Sequence, residues 1–108
     1  PEIKVFRFEK TEKSFDSLTE EERQEEIQNL KNGLNFARKV LVTEECDVLV
    51  LDEVLGLVER GIADASEIRG LLEAKHDDTE LILTGIYEGK EFWDLADVVT
   101  EMVTKKNH

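Results

Sequence analysis

Residues 3–8, Ile-Lys-Val-Phe-Arg-Phe, are rich in β-branched and aromatic side chains and predict a strand. Residues 9–18 are polar and irregular, with Phe15 and Leu18 as the large apolar groups. Thr19 then stands three residues before Glu22, the reciprocal spacing of a capping box. From there Ile27, Leu30, Leu34, Ala37 and Leu41 recur at three- and four-residue steps, and Phe36 and Val40 widen the stripe. That spacing puts the apolar groups on one face of a helix of about 22 residues. Glu20, Glu21 and Glu22 fall in its first turn and Lys39 near its other end, as the helix dipole favours. The acidic run therefore reads as a solvated helix start.

Residues 47–53, Asp-Val-Leu-Val-Leu-Asp-Glu, hold four consecutive large apolar residues between acids. A run apolar on both faces predicts a buried parallel strand. Val54, Leu55, Leu57 and Val58 continue as a helix that stops at Gly61. Asp64 with Glu67 marks another helix start, followed by Ile68, Leu71 and Leu72. His76-Asp77-Asp78 predicts a loop, and Glu80 to Gly85 a second buried strand. Glu91 to Asp97 reads as a short helix packed through Phe92, Trp93, Leu95 and Ala96; Val98 to Val103 reads as a last strand, and 105–108 as a frayed tail. The order β-α-β-α-α-β-α-β predicts an α/β fold with a parallel sheet and helices on its faces. No repeat or low-complexity tract divides the chain, so residues 1–108 read as a single domain.

Charge narrows the partners. Lys and Arg total 14 against 26 Asp and Glu, a formal net charge of -12. Such a chain repels phosphate backbones and anionic lipids, and its longest basic run is only Lys105-Lys106. Nucleic acid and membrane are thus not the expected partners. No apolar stretch approaches the roughly 20 residues that span a bilayer, and no secretory signal opens the chain. The single cysteine, Cys46, precedes a buried strand and reads as a packing residue in a reducing compartment, so a cytoplasmic location is expected.

In open parallel sheets the working residues lie at the carboxyl ends of the strands. That rule selects Asp52 and Glu53 after the second strand, and Thr84 and Gly85 after the third. Val48 to Glu53 has the form of a Walker B element, an apolar strand that holds carboxylates rigidly at its exit. Mg²⁺ is a small hard cation that takes oxygen ligands and keeps much of its water, so such acids suit a nucleotide's metal. Walker B strands work with a phosphate loop, G-x-x-x-x-G-K-[ST]. The glycines at 33, 56, 61, 70, 85 and 89 do not supply one. With Pro1 as the first residue, the expectation is a piece of a longer polypeptide whose phosphate loop lies upstream.

Leu51-Asp52-Glu53-Val54, Gly61, Leu83-Thr84-Gly85 and Leu95-Ala96-Asp97-Val98-Val99-Thr100-Glu101-Met102 follow in order, ahead of a tail with Lys106 and His108. This series resembles the C-terminal portion of the P-loop-type ATP:corrinoid adenosyltransferases, across most of residues 1–104. The resemblance implies a three-layer sandwich with a mainly parallel sheet, a truncated P-loop NTPase (RecA-like) fold. It implies that a reduced Co(I) corrinoid attacks the 5′ carbon of ATP and that inorganic triphosphate leaves. Glu53 would bind or orient Mg²⁺ with Asp52 alongside, and Thr84 and Gly85 would contact the ATP. Two departures from the family pattern stand out: Ile86 replaces an Arg after Thr-Gly, and Lys75-His76 an Arg-Pro. The family's phosphate-loop strand lies beside the Walker B strand. Its absence is expected to leave strand edges unpaired, favouring a homodimer or element swap, and to leave this polypeptide inactive alone.

Two other readings stay open. A phosphoacceptor receiver domain places an Asp, a Thr and a Lys after successive strands, and Asp52, Thr84 and Lys105 fall in that order. It also needs an acidic pair after the first strand, for which Glu9 and Glu12 are poor candidates. A non-catalytic adaptor would use the acidic helix as a docking surface. His76 and His108 read as solvated groups.

Overall fold

A computed structural model describes residues 2–89 and the backbone of 101–104. Strand β1 is Ile3–Arg7, followed by a short helix α1 (Glu9–Ser14) and a 3₁₀ turn at Phe15–Ser17. Helix α2 (Glu20–Val42), strand β2 (Val48–Asp52), helices α3 (Val54–Glu59) and α4 (Ala65–Ala74), and strands β3 (Glu80–Gly85) and β4 (Glu101–Thr104) complete the order. The expected helix at 91–97, the start of the last strand at 98–100 and the tail at 105–108 lie outside the described residues.

The four strands form one sheet in the order β1-β2-β3-β4, every pair parallel. The α/β class and the parallel sheet of the sequence reading are borne out. Strands laid down in consecutive order with right-handed crossovers place their connections on one face. The burial pattern agrees: Leu49, Leu51, Leu81 and Leu83 are fully buried and join a single core cluster with α2, α3 and α4. The alternate positions form the other face, where Val48, Val50 and Ile82 are only half-buried and Ile3 and Val5 remain 57% and 41% exposed. The core-building helices lie on the opposite one.

The acid-bearing strand is not an open edge; among the described strands the edges are β1 and β4. β2 is hydrogen-bonded on both sides, in register Val5↔Val50 with β1 and Val50↔Ile82 with β3. Direct β2–β3 pairing satisfies both rows of backbone groups, so no gap is left there.

Local signals explain the helices. Thr19 and Glu22 form the expected capping box: the Thr19 amide donates to Glu22 Oε1 at 2.9 Å and the Glu22 amide to Thr19 Oγ1 at 3.2 Å. The bond from the Thr19 backbone holds the Glu22 carboxyl below its usual range. Asp64 caps α4 by accepting from the Ser66 amide at 3.0 Å. Helix α1 is the element the apolar pattern did not disclose. It buries no residue, and its support is polar: Lys13 pairs with Glu9 at 2.6 Å, one turn apart. Arg23 pins the following turn to α2, stacking 5.5 Å over the Phe15 ring and donating to the Phe15 and Asp16 carbonyls.

Two glycines make opposite demands. Gly85 has φ +139, and a Cβ there would lie 2.5 Å from the Gly56 nitrogen. Gly33, inside α2, has open space around its missing side chain. Gly85→Ala is expected to cost about 2–4 kcal/mol through overlap and backbone strain. Gly33→Ala should raise stability by about 0.5–1 kcal/mol. Urea unfolding of the two variants, run side by side, checks both signs.

The cap adds a pH dependence. A carboxyl whose folded pKa is depressed contributes stability that is present above its unfolded pKa and lost as pH falls through the folded one. Thr19→Ala should cost about 1 kcal/mol at neutral pH. Against Glu22→Gln, which cannot ionise, the wild type's advantage should shrink on acidification below the ordinary glutamate range, as read by melts across pH.

Candidate functional site

The parallel register that sets Leu51 against Leu83 carries Asp52 up to Thr84 at the carboxyl ends of β2 and β3. Both side chains are half-buried and lie on the sheet face opposite the core helices. The Thr84 hydroxyl donates to Asp52 Oδ1 at 2.9 Å and accepts from the Glu53 backbone amide at 2.8 Å. The Asp52 carbonyl accepts from the Phe8 amide at 2.9 Å, which ties in the exit of β1. Three strand ends thus converge on two consecutive acids.

Glu53 turns the chain into α3 with φ 68 and ψ 11, a left-handed conformation. For a residue with a Cβ this costs roughly 1–2 kcal/mol. The turn sends the two carboxylates apart. Asp52 stays on the sheet face, whereas Glu53 folds back over α3, its Oε2 3.2 Å from where a Gly56 Cβ would stand. There it lines a cavity of about 340 Å³ together with Glu12, Lys13, Arg60 and Ile86.

That cavity brings in residues the motif search passed over. Glu12 and Lys13 come from α1, and Arg60 closes α3. Its cations are already matched by acids: Lys13 by Glu9 at 2.6 Å, and Arg60 by Asp16 at 2.7 Å and by the Glu12 carbonyl. The signal available in sequence was the Glu9–Lys13 spacing, visible once residues 9–14 are read as a helix rather than irregular chain.

Gly85 sits beside this junction, and packing accounts for its lack of a side chain: β3 presses onto the first turn of α3 at Gly56 and Leu55. Ile86 is 43% exposed on the cavity wall, so the wall there carries no charge. His76 and Cys46 lie at the other end of the sheet. His76 faces Glu44 at 3.6 Å, and burial pushes the Cys46 thiol up, as a packing role requires. Lys105 lies outside the described residues.

The donor chemistry bears on Mg²⁺. Among the described residues no group of three His, Cys, Asp or Glu side chains converges to hold a metal. Mg²⁺ that arrives with a nucleotide needs one or two carboxylates, the phosphates and water rather than a protein cage. Asp52, steadied through Oδ1 by Thr84 on a rigid strand end, fits that lesser requirement as a single carboxylate, while Glu53 presents its own carboxylate toward α3.

The family model described as ATP:corrinoid adenosyltransferase BtuR/CobO/CobP matches residues 2–108. An uncharacterised protein of Nostoc sp. is 30% identical over 70 residues, which are 65% of this chain and 18% of that protein. The chain therefore aligns with less than a fifth of the curated relative's length. No solved structure matches.

The left-handed turn at Glu53 stores backbone strain that a glycine would relieve. Glu53→Gly is expected to leave the unfolding free energy unchanged or to raise it by up to about 1 kcal/mol. Guanidinium titration reads this, and a loss of similar size would instead make Glu53 a structural residue.

Proposed function

Because the chain belongs to the BtuR/CobO/CobP family of ATP:corrinoid adenosyltransferases, we propose that it supplies the acid-bearing part of an adenosyl-transfer site. The reaction of the whole protein is transfer of the 5′-deoxyadenosyl group from ATP to the Co(I) of a reduced corrinoid. The C5′–O bond breaks, a Co–C bond forms with the electron pair of Co(I), and triphosphate departs. The observation that carries this reading is the convergence of Asp52, Glu53 and Thr84 at the carboxyl ends of adjacent parallel strands.

On this reading Asp52 would hold Mg²⁺ with Glu53 helping to orient it, and the ion would supply positive charge against that of the departing triphosphate. Asp52 presents its carboxylate from a rigid strand end, and Glu53 from the turn that follows. The end of β3 at Thr84 and Gly85 forms the neighbouring edge, beside which the nucleotide would lie. Ile86 contributes an apolar wall and no anion contact.

Net charge of -12 and one cysteine support a cytoplasmic protein that binds neither nucleic acid nor membrane. No described helix is long and apolar enough to cross a membrane. A homodimer is the assembly this reading favours, and the exposed Ile3 and Val5 on edge strand β1 offer the surface for it. Light scattering at micromolar concentration should give twice the 12.4 kDa chain mass.

The test is anaerobic conversion of cob(I)alamin and ATP, followed by the absorbance of the adenosylated product. The complete open reading frame should turn over and this chain by itself should not. Asp52→Asn and Glu53→Gln in the complete protein should each lower turnover by about 100-fold. Full activity of both variants would remove the acids from the mechanism.

One contact also favours the phosphoacceptor reading, since Thr84 lies 2.9 Å from the Asp52 carboxylate. Incubation with a small phosphodonor and Mg²⁺ followed by intact mass separates the two. The transferase reading expects no added phosphoryl group.

A further inference from the structure

We propose that Thr84 is a positioning residue whose hydroxyl sets the directions of the Asp52 carboxylate and the Glu53 turn, and not a direct ligand of the nucleotide. The inference rests on the reading of Asp52 and Glu53 as cation-holding acids.

A threonine hydroxyl has one hydrogen to donate and two lone pairs to accept with. At Thr84 the hydrogen is committed to Asp52 Oδ1 at 2.9 Å, and one lone pair receives the Glu53 amide at 2.8 Å. A phosphate oxygen needs a donor, and this hydroxyl has none left unless the bond to Asp52 breaks. The two bonds also act on different degrees of freedom. The first stops rotation of the Asp52 side chain. The second holds the amide at the start of the left-handed turn at φ 68, a conformation a glutamate leaves readily when nothing fixes it. The three groups come from strands joined only through α3 and α4, so the hydroxyl is a tertiary tie and not a local turn bond. Gly85, the next residue, lets the end of β3 lie directly against α3 at Gly56. Thr84 is therefore held at a fixed height while it holds the acids.

The test compares Thr84→Val, which keeps the shape and removes the hydroxyl, with Thr84→Ser, which keeps the hydroxyl. Two readouts are taken on the 108-residue chain. One is hydrogen exchange of the Glu53 amide by NMR. The other is the Mn²⁺ concentration that half-broadens the Asp52 and Glu53 resonances. In Thr84→Val the Glu53 amide should exchange about 10-fold faster or more, and Mn²⁺ should bind about 10-fold more weakly. Thr84→Ser should stay within about threefold of wild type in both. An unchanged Glu53 exchange rate in Thr84→Val would overturn the positioning role. So would faster exchange with Mn²⁺ affinity unchanged, which would make the tie merely structural, and so would failure of Thr84→Ser to restore both. ATP affinity that falls in Thr84→Val while Glu53 exchange stays constant would make Thr84 a ligand instead. Wild-type resonances that Mn²⁺ leaves untouched both alone and with ATP present would overturn the cation reading of the two acids, and the positioning role with it.

Discussion

Parallel pairing of β2 with β3 is the constraint on which the rest of the molecule depends. It brings the carboxyl ends of two strands side by side, although two helices separate them along the chain. Once Leu51 faces Leu83, the next step must place Asp52 next to Thr84 on the same face. A slip of one residue in either strand would turn that strand's two fully buried leucines toward solvent. Burying an apolar side chain of that size is worth about 1.5–3 kcal/mol. The core therefore enforces the register, and the register assembles the polar junction. The glycine contact between residues 85 and 56 then fixes how closely α3 approaches that junction.

The same sheet is asymmetric. One face is sealed by α2, α3 and α4, while the other presents Ile3, Val5, Val48, Val50 and Ile82 with Asp52 and Thr84 at its carboxyl edge. The site acids thus sit at the border of the less covered face and not within the core. Such a face in an isolated chain favours association, whereas a net charge of -12 opposes it.

Much of the fold was legible in the sequence because its signals were strong and local. The Thr19–Glu22 spacing, the stripe from Leu30 to Leu41 and the apolar runs at 48–51 and 81–83 each rest on periodicity or capping chemistry. Helix α1 was not legible, since its six residues bury nothing and carry no apolar period. Of the site, the strand-end rule located Asp52, Glu53, Thr84 and Gly85 without placing their atoms. Sequence adjacency suggested that Asp52 and Glu53 work as a pair. The left-handed turn that parts their carboxylates depends on tertiary bonds from Thr84 and on space beside Gly56, and no local pattern encodes either.

Electrostatics decides what this end of the sheet can accept. Glu9, Glu12, Glu53 and Glu59 all line the cavity, and its two cations are already matched by carboxylates. A bare triphosphate placed here would meet acids before any free positive charge, and repulsion between like charges at close range in a partly desolvated site is strong. A divalent cation reverses that sign, because it can face carboxylates on one side and phosphates on the other. The arrangement thus suits a nucleotide only when metal and phosphate arrive together. It also means that the groups that grip the phosphates directly must come from outside the described acids. Under the proposed function the acidic junction would hold that cation, and a rigid strand end with a hydroxyl tie would suit it to do so.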